Sequence, residues 1–237
     1  MGAKLLPTTP TPTPDVQNSD GSICKPAPSL TIPSPEACGR GPNLFPFPAD
    51  AFGLHLFGDV ETDGFGHSGG IPANIVEVAA VLFDSTGVEV SAMSTVVIPE
   101  GFEITEGATA KNGLTTEMAA AHGVPLWLAM WHFDRMLLSA KSIGFHNRQF
   151  DLRVIAGAYE KLNMPVVFAS KYQICTMADF VDFCRIPNKK GAGYKRPNLD
   201  ELYLFLFDEP RRAAHGALVD ARDCAKCYFE IQRRRGL

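Results

Sequence analysis

Three apolar runs with no helical stretch between them constrain this chain most: LHLFGDVET from Leu54, IVEVAAVLFD from Ile75 and VEVSAMSTVVIP from Val88. Each reads as a strand, and DSTG between the second and third supplies a short hairpin turn. A domain that opens in this way must build its sheet early. Helices and strands then alternate. A helix is expected over 125–138, a short strand at SIGFH, a helix at FDLRVIAGAYEKL, strand candidates at VVF and YQICT, and a helical stretch at TMADFVDFC. NLDELYLFLF opens with Asn198 as N-cap and Glu201 three residues later, the pattern of a capping box. The last element, 217–234, is a long amphipathic helix. The expected fold class is α/β, a mixed sheet flanked by helices.

Ahead of these runs, residues 1–52 are loaded with Pro, Thr and Ser, as in TPTPTP and PSPEACGRGP. They lack either periodicity and read as a disordered extension, so the folded domain is expected over 53–237. The formal charge of −4 argues against a protein that coats nucleic acid through a broad basic surface. A local cleft neutralised by cations is compatible with it. Six cysteines without a compact disulfide framework, no signal-peptide pattern and no apolar span of membrane length point to a cytoplasmic protein with no membrane attachment.

The chemistry lies in a few acids. Asp59 and Glu61 are two apart on a strand and share a face, while Leu56, Gly58 and Val60 make the opposite face apolar. The strand is expected to be interior on one side and acidic on the other. Adjacent carboxylates raise each other's pKa unless a cation neutralises them, and hard ions such as magnesium or manganese prefer oxygen ligands. Solvated acids on an exposed edge are the alternative. Asp151 falls in the first turn of a helix, where the dipole favours an anion, with Asn147 as a cap or turn residue. His215 and Asp220 are five apart, off one another's helical face at about 100° per residue. That places His215 in the loop before the last helix. On the wheel, Arg222, Asp223, Lys226, Glu230 and Arg233 form a polar arc, whereas Asp220 lies beside Cys224, Cys227 and Ile231. A carboxylate in an apolar arc needs either a shared metal or a buried salt bridge.

Taken in order, GDVETDGFG, HNRQFD and HGALVD resemble the three motifs of the DEDDh exonuclease superfamily, which includes the proofreading subunits of bacterial replicative polymerases. The likeness runs from about Leu54 to the C-terminus and takes in IVEVAAV, ATAKNGLT and NLDELYLFLF. His215 selects the branch with histidine rather than tyrosine. The resemblance implies a ribonuclease-H-like fold with a mixed five-stranded sheet. It also implies two Mg2+ or Mn2+ ions held by Asp59, Glu61, Asp151 and Asp220, about 3.5 to 4 Å apart, with His215 as general base. Backbone groups around Glu61 and Thr62 would meet the terminal nucleotide, Phe65 would pack on its base, and Asn147 would orient the loop carrying Asp151. The implied activity is 3′ to 5′ hydrolysis at DNA 3′ ends. RNA 3′ ends are the alternative substrate, and a DNA polymerase or other replication protein is the implied partner. A non-catalytic module keeping the fold would lack one of the five residues, and none is missing.

Three features carry simpler readings. Cys224 and Cys227 resemble half a zinc site without a second pair and are expected in the core. Lys189 to Arg196 reads equally as a strand-contacting or a solvated loop. Arg233, Arg234 and Arg235 complement the dipole at a helix end.

Overall fold

The computed structural model describes residues 53–64, 66, 72–189, 191–212 and 216–236. The Pro-rich extension, Phe65 and His215 therefore lie outside the described residues. The three opening strands form as expected: β1 (Leu54–Thr62), β2 (Ile75–Phe83) and β3 (Glu89–Val96). Asp84 closes the β2–β3 hairpin by accepting from the backbone N–H of Thr86 at 2.8 Å and of Val88 at 3.0 Å. Gly87 takes φ +88°, a conformation that side chains other than glycine adopt at a cost.

The remaining elements are α1 (Glu106–Asn112), α2 (Thr116–His122), α3 (Leu126–Leu138), β4 (Ala140–Phe145), α4 (Arg148–Lys161), β5 (Tyr172–Cys175), α5 (Val181–Cys184), α6 (Leu199–Phe207) and α7 (Ala217–Arg235). They complete a five-stranded sheet in the order β3-β2-β1-β4-β5. The first two pairings are antiparallel, and β1–β4 and β4–β5 are parallel. This is the expected mixed sheet flanked by helices, of ribonuclease-H-like type.

Two expectations change. VVF is not a strand: Val166 and Val167 are irregular, Phe168 opens a 3-10 turn over Phe168–Ser170, and Val166 is solvent-exposed. Without a sheet neighbour, three apolar residues lack the ladder that would make them a strand. TMADFVDFC is helical only over Val181–Cys184, because Asp179 turns its carboxylate back onto the N–H of Cys175 at 2.8 Å and stabilises a turn instead. The capping box on α6 is present in both halves, Asn198 accepting from the N–H of Glu201 at 2.8 Å and Glu201 from that of Asn198 at 3.0 Å.

The sheet has a core on each side. On one, Leu56, Val60, Val78, Ala80 and Leu82 pack with Met130, Phe133 and Leu137 of α3 and Val154, Ile155 and Tyr159 of α4. On the other, Phe57, Val81 and Phe83 pack with Leu202 and Leu206 of α6 and Ala221, Cys224, Tyr228 and Ile231 of α7. The central strands thus bury both faces. The expectation that β1 is apolar on one side only is corrected: Phe57 shares the face of Asp59 and is fully buried, because α7 lies across it. Two glycines make room for this. Phe57 pairs with Gly144, where a Cβ would come within 2.5 Å of the phenyl ring; at Gly58 a Cβ would meet the Phe145 ring at 2.8 Å. Both cysteines of the CxxC are buried in this second core, and the described cysteines are free thiols. Among the described residues no helix is long and apolar enough to cross a membrane.

Candidate active site

The last turn of β1 brings the acids together. Asp59 faces Ala79 of β2, Glu61 faces Glu77, and the register shifts between Glu61 and Thr62. Asp59 and Glu61 are half-buried on the α7 side of the sheet. β1 runs on past its ladder with β4, whose last partnered residue is Phe57, and the Val60 N–H beyond that point donates to the Asp151 carboxylate. That bond seats the first turn of α4 against the acidic end of β1. Asp151 is 3% exposed. Asn147 is the N-cap of α4 but supplies no side-chain cap. Its carbonyl accepts from the N–H groups of Phe150 at 2.8 Å and Asp151 at 3.3 Å, so it sets this turn through its backbone.

The acids influence one another electrostatically. Burial raises the pKa of Asp59 well above the carboxylate range, and the charges of Asp151, Asp220, Glu61 and Glu77 push it further in the same direction. Asp151 is raised to about 8, first by burial and then by Glu61, against the opposing hydrogen bonds from its own N–H and that of Val60. Carboxylates that lose hydration together and repel one another are stabilised in their ionised form by a cation, and all of these donors are hard oxygens. Among the described residues, no three acid, histidine or cysteine side chains already converge as a metal cage.

Asp220 takes one of the two partners that its place on the wheel allowed, a salt bridge. It sits in the first turn of α7, above the buried stripe of Cys224, Cys227 and Ile231, with its side chain 21% exposed. Its carboxylate accepts from Nη2 of Arg211, whose side chain is 3% exposed. Arg211 also donates Nε to Asp223 at 2.8 Å and Nη1 to Asp200 of α6 at 3.0 Å. The salt bridge exists, yet the charge of Asp220 is still felt by Asp59. α7 begins at Ala217 with Gly216 as an extended N-cap.

Sequence reasoning passed over three residues here. Asp63, the next acid of the first motif, is buried. It accepts from the backbone N–H of Asn74 at 2.8 Å and from its side-chain amide at 2.7 Å, closing the base of the segment between them. Its carbonyl accepts from Thr105 at the N-cap of α1. Glu77 accepts from the Ala217 N–H at 3.4 Å, giving α7 from the sheet the N-terminal acceptor that Gly216 lacks. Arg211 is the third. An acid directly opposite Glu61 could have been found by pairing the first two strands; nothing local signals Arg211. Thr62 turns its hydroxyl onto the Gly64 carbonyl at 2.5 Å.

Several residues of the basic stretches are engaged elsewhere. Lys195 pairs with Glu201, Arg233 and Arg234 with Glu230, and Arg235 lies over the rings of Phe180 and Phe183. Below the site, the Cys224 thiol and the Thr176 hydroxyl meet at 3.2 Å, and Thr176 meets Nδ1 of His146 at 2.9 Å. Nε2 of His146 donates to the Pro197 carbonyl at 3.2 Å. This neutral chain ties α7, β5 and the end of β4 together.

Known structures share this architecture. E. coli Exonuclease I in complex with a dT13 oligonucleotide superposes with a TM-score of 0.65 at 17% identity, covering 77% of this chain and 42% of that one. Exonuclease I from Methylocaldum szegediense gives 0.62 at 14% identity, covering 77% and 41%. A zinc-bound E. coli Exonuclease I complex with single-stranded DNA gives 0.64 at 16% identity, with the same coverage. At these identities the likeness is one of fold, and this chain spans less than half the length of those proteins. No curated protein sequence matches it. The family model for exonucleases of the RNase_T type matches residues 56–228, a span that contains all three motifs, and the chain belongs to that exonuclease family.

Proposed function

We propose that this chain is a metal-dependent 3′ to 5′ exonuclease that hydrolyses the terminal phosphodiester bonds of single-stranded or frayed DNA and releases nucleoside 5′-monophosphates. The observation that carries the reading is the coupled burial of Asp59 and Asp151 at the end of β1, with Glu61 and Asp220 near enough to raise their pKa values. Such a group is costly in an apo protein and suited to cations.

Asp59, Glu61, Asp151 and Asp220 would hold two divalent ions, Mg2+ or Mn2+, whose chemistry is to polarise the scissile phosphate and offset developing charge. The chain's own residues do the rest. Asp59 is the acid on which the charges of the other three act. His215 takes the proton from the attacking water, a task suited to an imidazole whose ordinary pKa lies near working pH. Thr62 and Phe65 meet the terminal nucleotide, and Asn147 holds the turn that presents Asp151. DNA as substrate draws support from the oligonucleotides bound by the E. coli Exonuclease I structures. A polymerase or another replication protein is the proposed partner, and the cytoplasm the proposed compartment.

The test is release of mononucleotides from matched 5′-labelled DNA and RNA strands with Mg2+, with Mn2+ and with EDTA. A ladder shortening from the 3′ end of DNA, abolished by EDTA, is expected. Activity that survives chelation would overturn the metal mechanism, and a strong preference for the RNA strand would replace DNA as the substrate.

A further inference from the structure

We infer that Arg211 is a positioning residue for the Asp220 carboxylate, an inference that rests on the metal site proposed above. The segment between α6 and α7 delivers this arginine to a place where one guanidinium meets three carboxylates. Nη1 meets Asp200 on α6, Nη2 meets Asp220 and Nε meets Asp223, the last two one turn apart on α7. A planar fork can serve three acceptors in fixed directions, which a lysine ammonium on a flexible stem cannot.

Two roles compete for such an arginine. It could stand in for a cation at Asp220 and be displaced when one binds, or it could stay and hold the carboxylate in the orientation that binding needs. The other two contacts decide between them. Asp200 and Asp223 lie outside the proposed metal set, and together they retain the guanidinium whatever Asp220 does. Its side chain is also 3% exposed, so its departure would strip the largely buried Asp223 carboxylate of this pairing at high cost. A displaceable stand-in would depend on Asp220 alone. The charge count agrees: one positive group among three acids leaves the cluster net negative.

Outer hydrogen-bond partners of metal-binding carboxylates typically contribute 10- to 100-fold in metal affinity. The experiment is calorimetric titration of Mn2+ into the metal-free full chain, for the wild type, Arg211→Gln, Arg211→Lys and Asp200→Asn, each checked for a cooperative thermal melt. Arg211→Gln is expected to weaken Mn2+ binding by about 10- to 100-fold, with Arg211→Lys between it and the wild type and Asp200→Asn close to the wild type. Nucleotide release by the folded variants should recover at high Mn2+, a rescue that a merely structural defect would not show. Unchanged or tighter Mn2+ binding in both arginine variants would overturn the inference. If Arg211→Gln fails to fold, Arg211→Lys decides alone, with wild-type affinity counting against the proposal. A wild type that binds no Mn2+ would instead remove the metal site itself.

Discussion

The layer between the sheet and α7 has two unlike ends. At one, Phe57 lies 5.3 Å from Tyr228 and 6.0 Å from Phe83, ring centroid to centroid, and Phe229 closes the cluster at 5.7 Å from Phe83. At the other, two residues further along the same face of β1, Asp59 is raised in pKa by burial and by the charges of Asp151, Asp220 and Glu61. The same helix covers both. Burial stabilises the aromatic end, by about 1.5 to 3 kcal/mol for a fully buried large side chain. At the acidic end, burial penalises the ionised forms of Asp59 and Asp151. The contrast shows how the fold can hold a destabilising cluster: rigid apolar packing at one end of α7 fixes what the repelling carboxylates would otherwise push apart.

Breaking the acidic end should change chemistry and spare the fold. Asp59→Asn keeps the shape and removes one of the mutually repelling charges. Loss of the interactions it would make with cations and phosphate, worth several kcal/mol, should lower nucleotide release by roughly 10³-fold or more. The metal-free protein should be as stable as the wild type or more so in chemical denaturation. Undiminished release would remove Asp59 from the site; a large loss of stability would contradict the division of labour between the two ends.

Breaking the aromatic end should do the reverse. Phe57→Ala is expected to cost about 3 to 5 kcal/mol in denaturant unfolding, because the cavity opens over Gly144, which has no side chain to fill it. The fraction still folded should bind Mn2+ with wild-type affinity. Weakened binding in that fraction would mean that the two ends are coupled more tightly than separate packing allows.

How much of this was legible in the sequence follows the same contrast. The hairpin, the capping box and the last helix were readable because their signals are local: a turn tetrapeptide, an Asn and a Glu three apart, a periodic stripe. Asp220 betrayed itself by standing among Cys224, Cys227 and Ile231, and its salt bridge was one of the two partners anticipated. The burial of Phe57 beside Asp59 was not, since alternation along one strand cannot say that a helix from the far end of the chain will cover the second face. Arg211 was invisible for a related reason. Its three partners come from two helices, and only the packing of α6 on α7 brings them to one point. VVF failed in the opposite direction, offering strand composition where the sheet has no neighbour to offer.

The smallest expected effect is the dependence of stability on pH, where the acidic end and the His146 chain beneath it pull in opposite directions. Burial lowers the pKa of His146 to about 4, so between there and its ordinary value near 6.5 the unfolded chain binds more protons than the folded one. Its contribution is present above about 6.5 and is lost as pH falls toward 4. Asp151, raised to about 8, has the opposite sign: its contribution is present below the ordinary carboxylate pKa near 3.9 and is lost as pH rises through 8. Asp59 shares that sign. Below pH 6.5 the two effects offset one another; above it only the acids act. Denaturant midpoints measured in EDTA should therefore fall from pH 6.5 to 8. The fall should shrink in Asp151→Asn and flatten when Mn2+ replaces EDTA, because a bound cation takes over the role of the proton. A midpoint that rises over this range in EDTA would mean that the acids are solvated in the folded protein, and that the second end of the α7 layer is not the buried charge cluster on which the comparison depends.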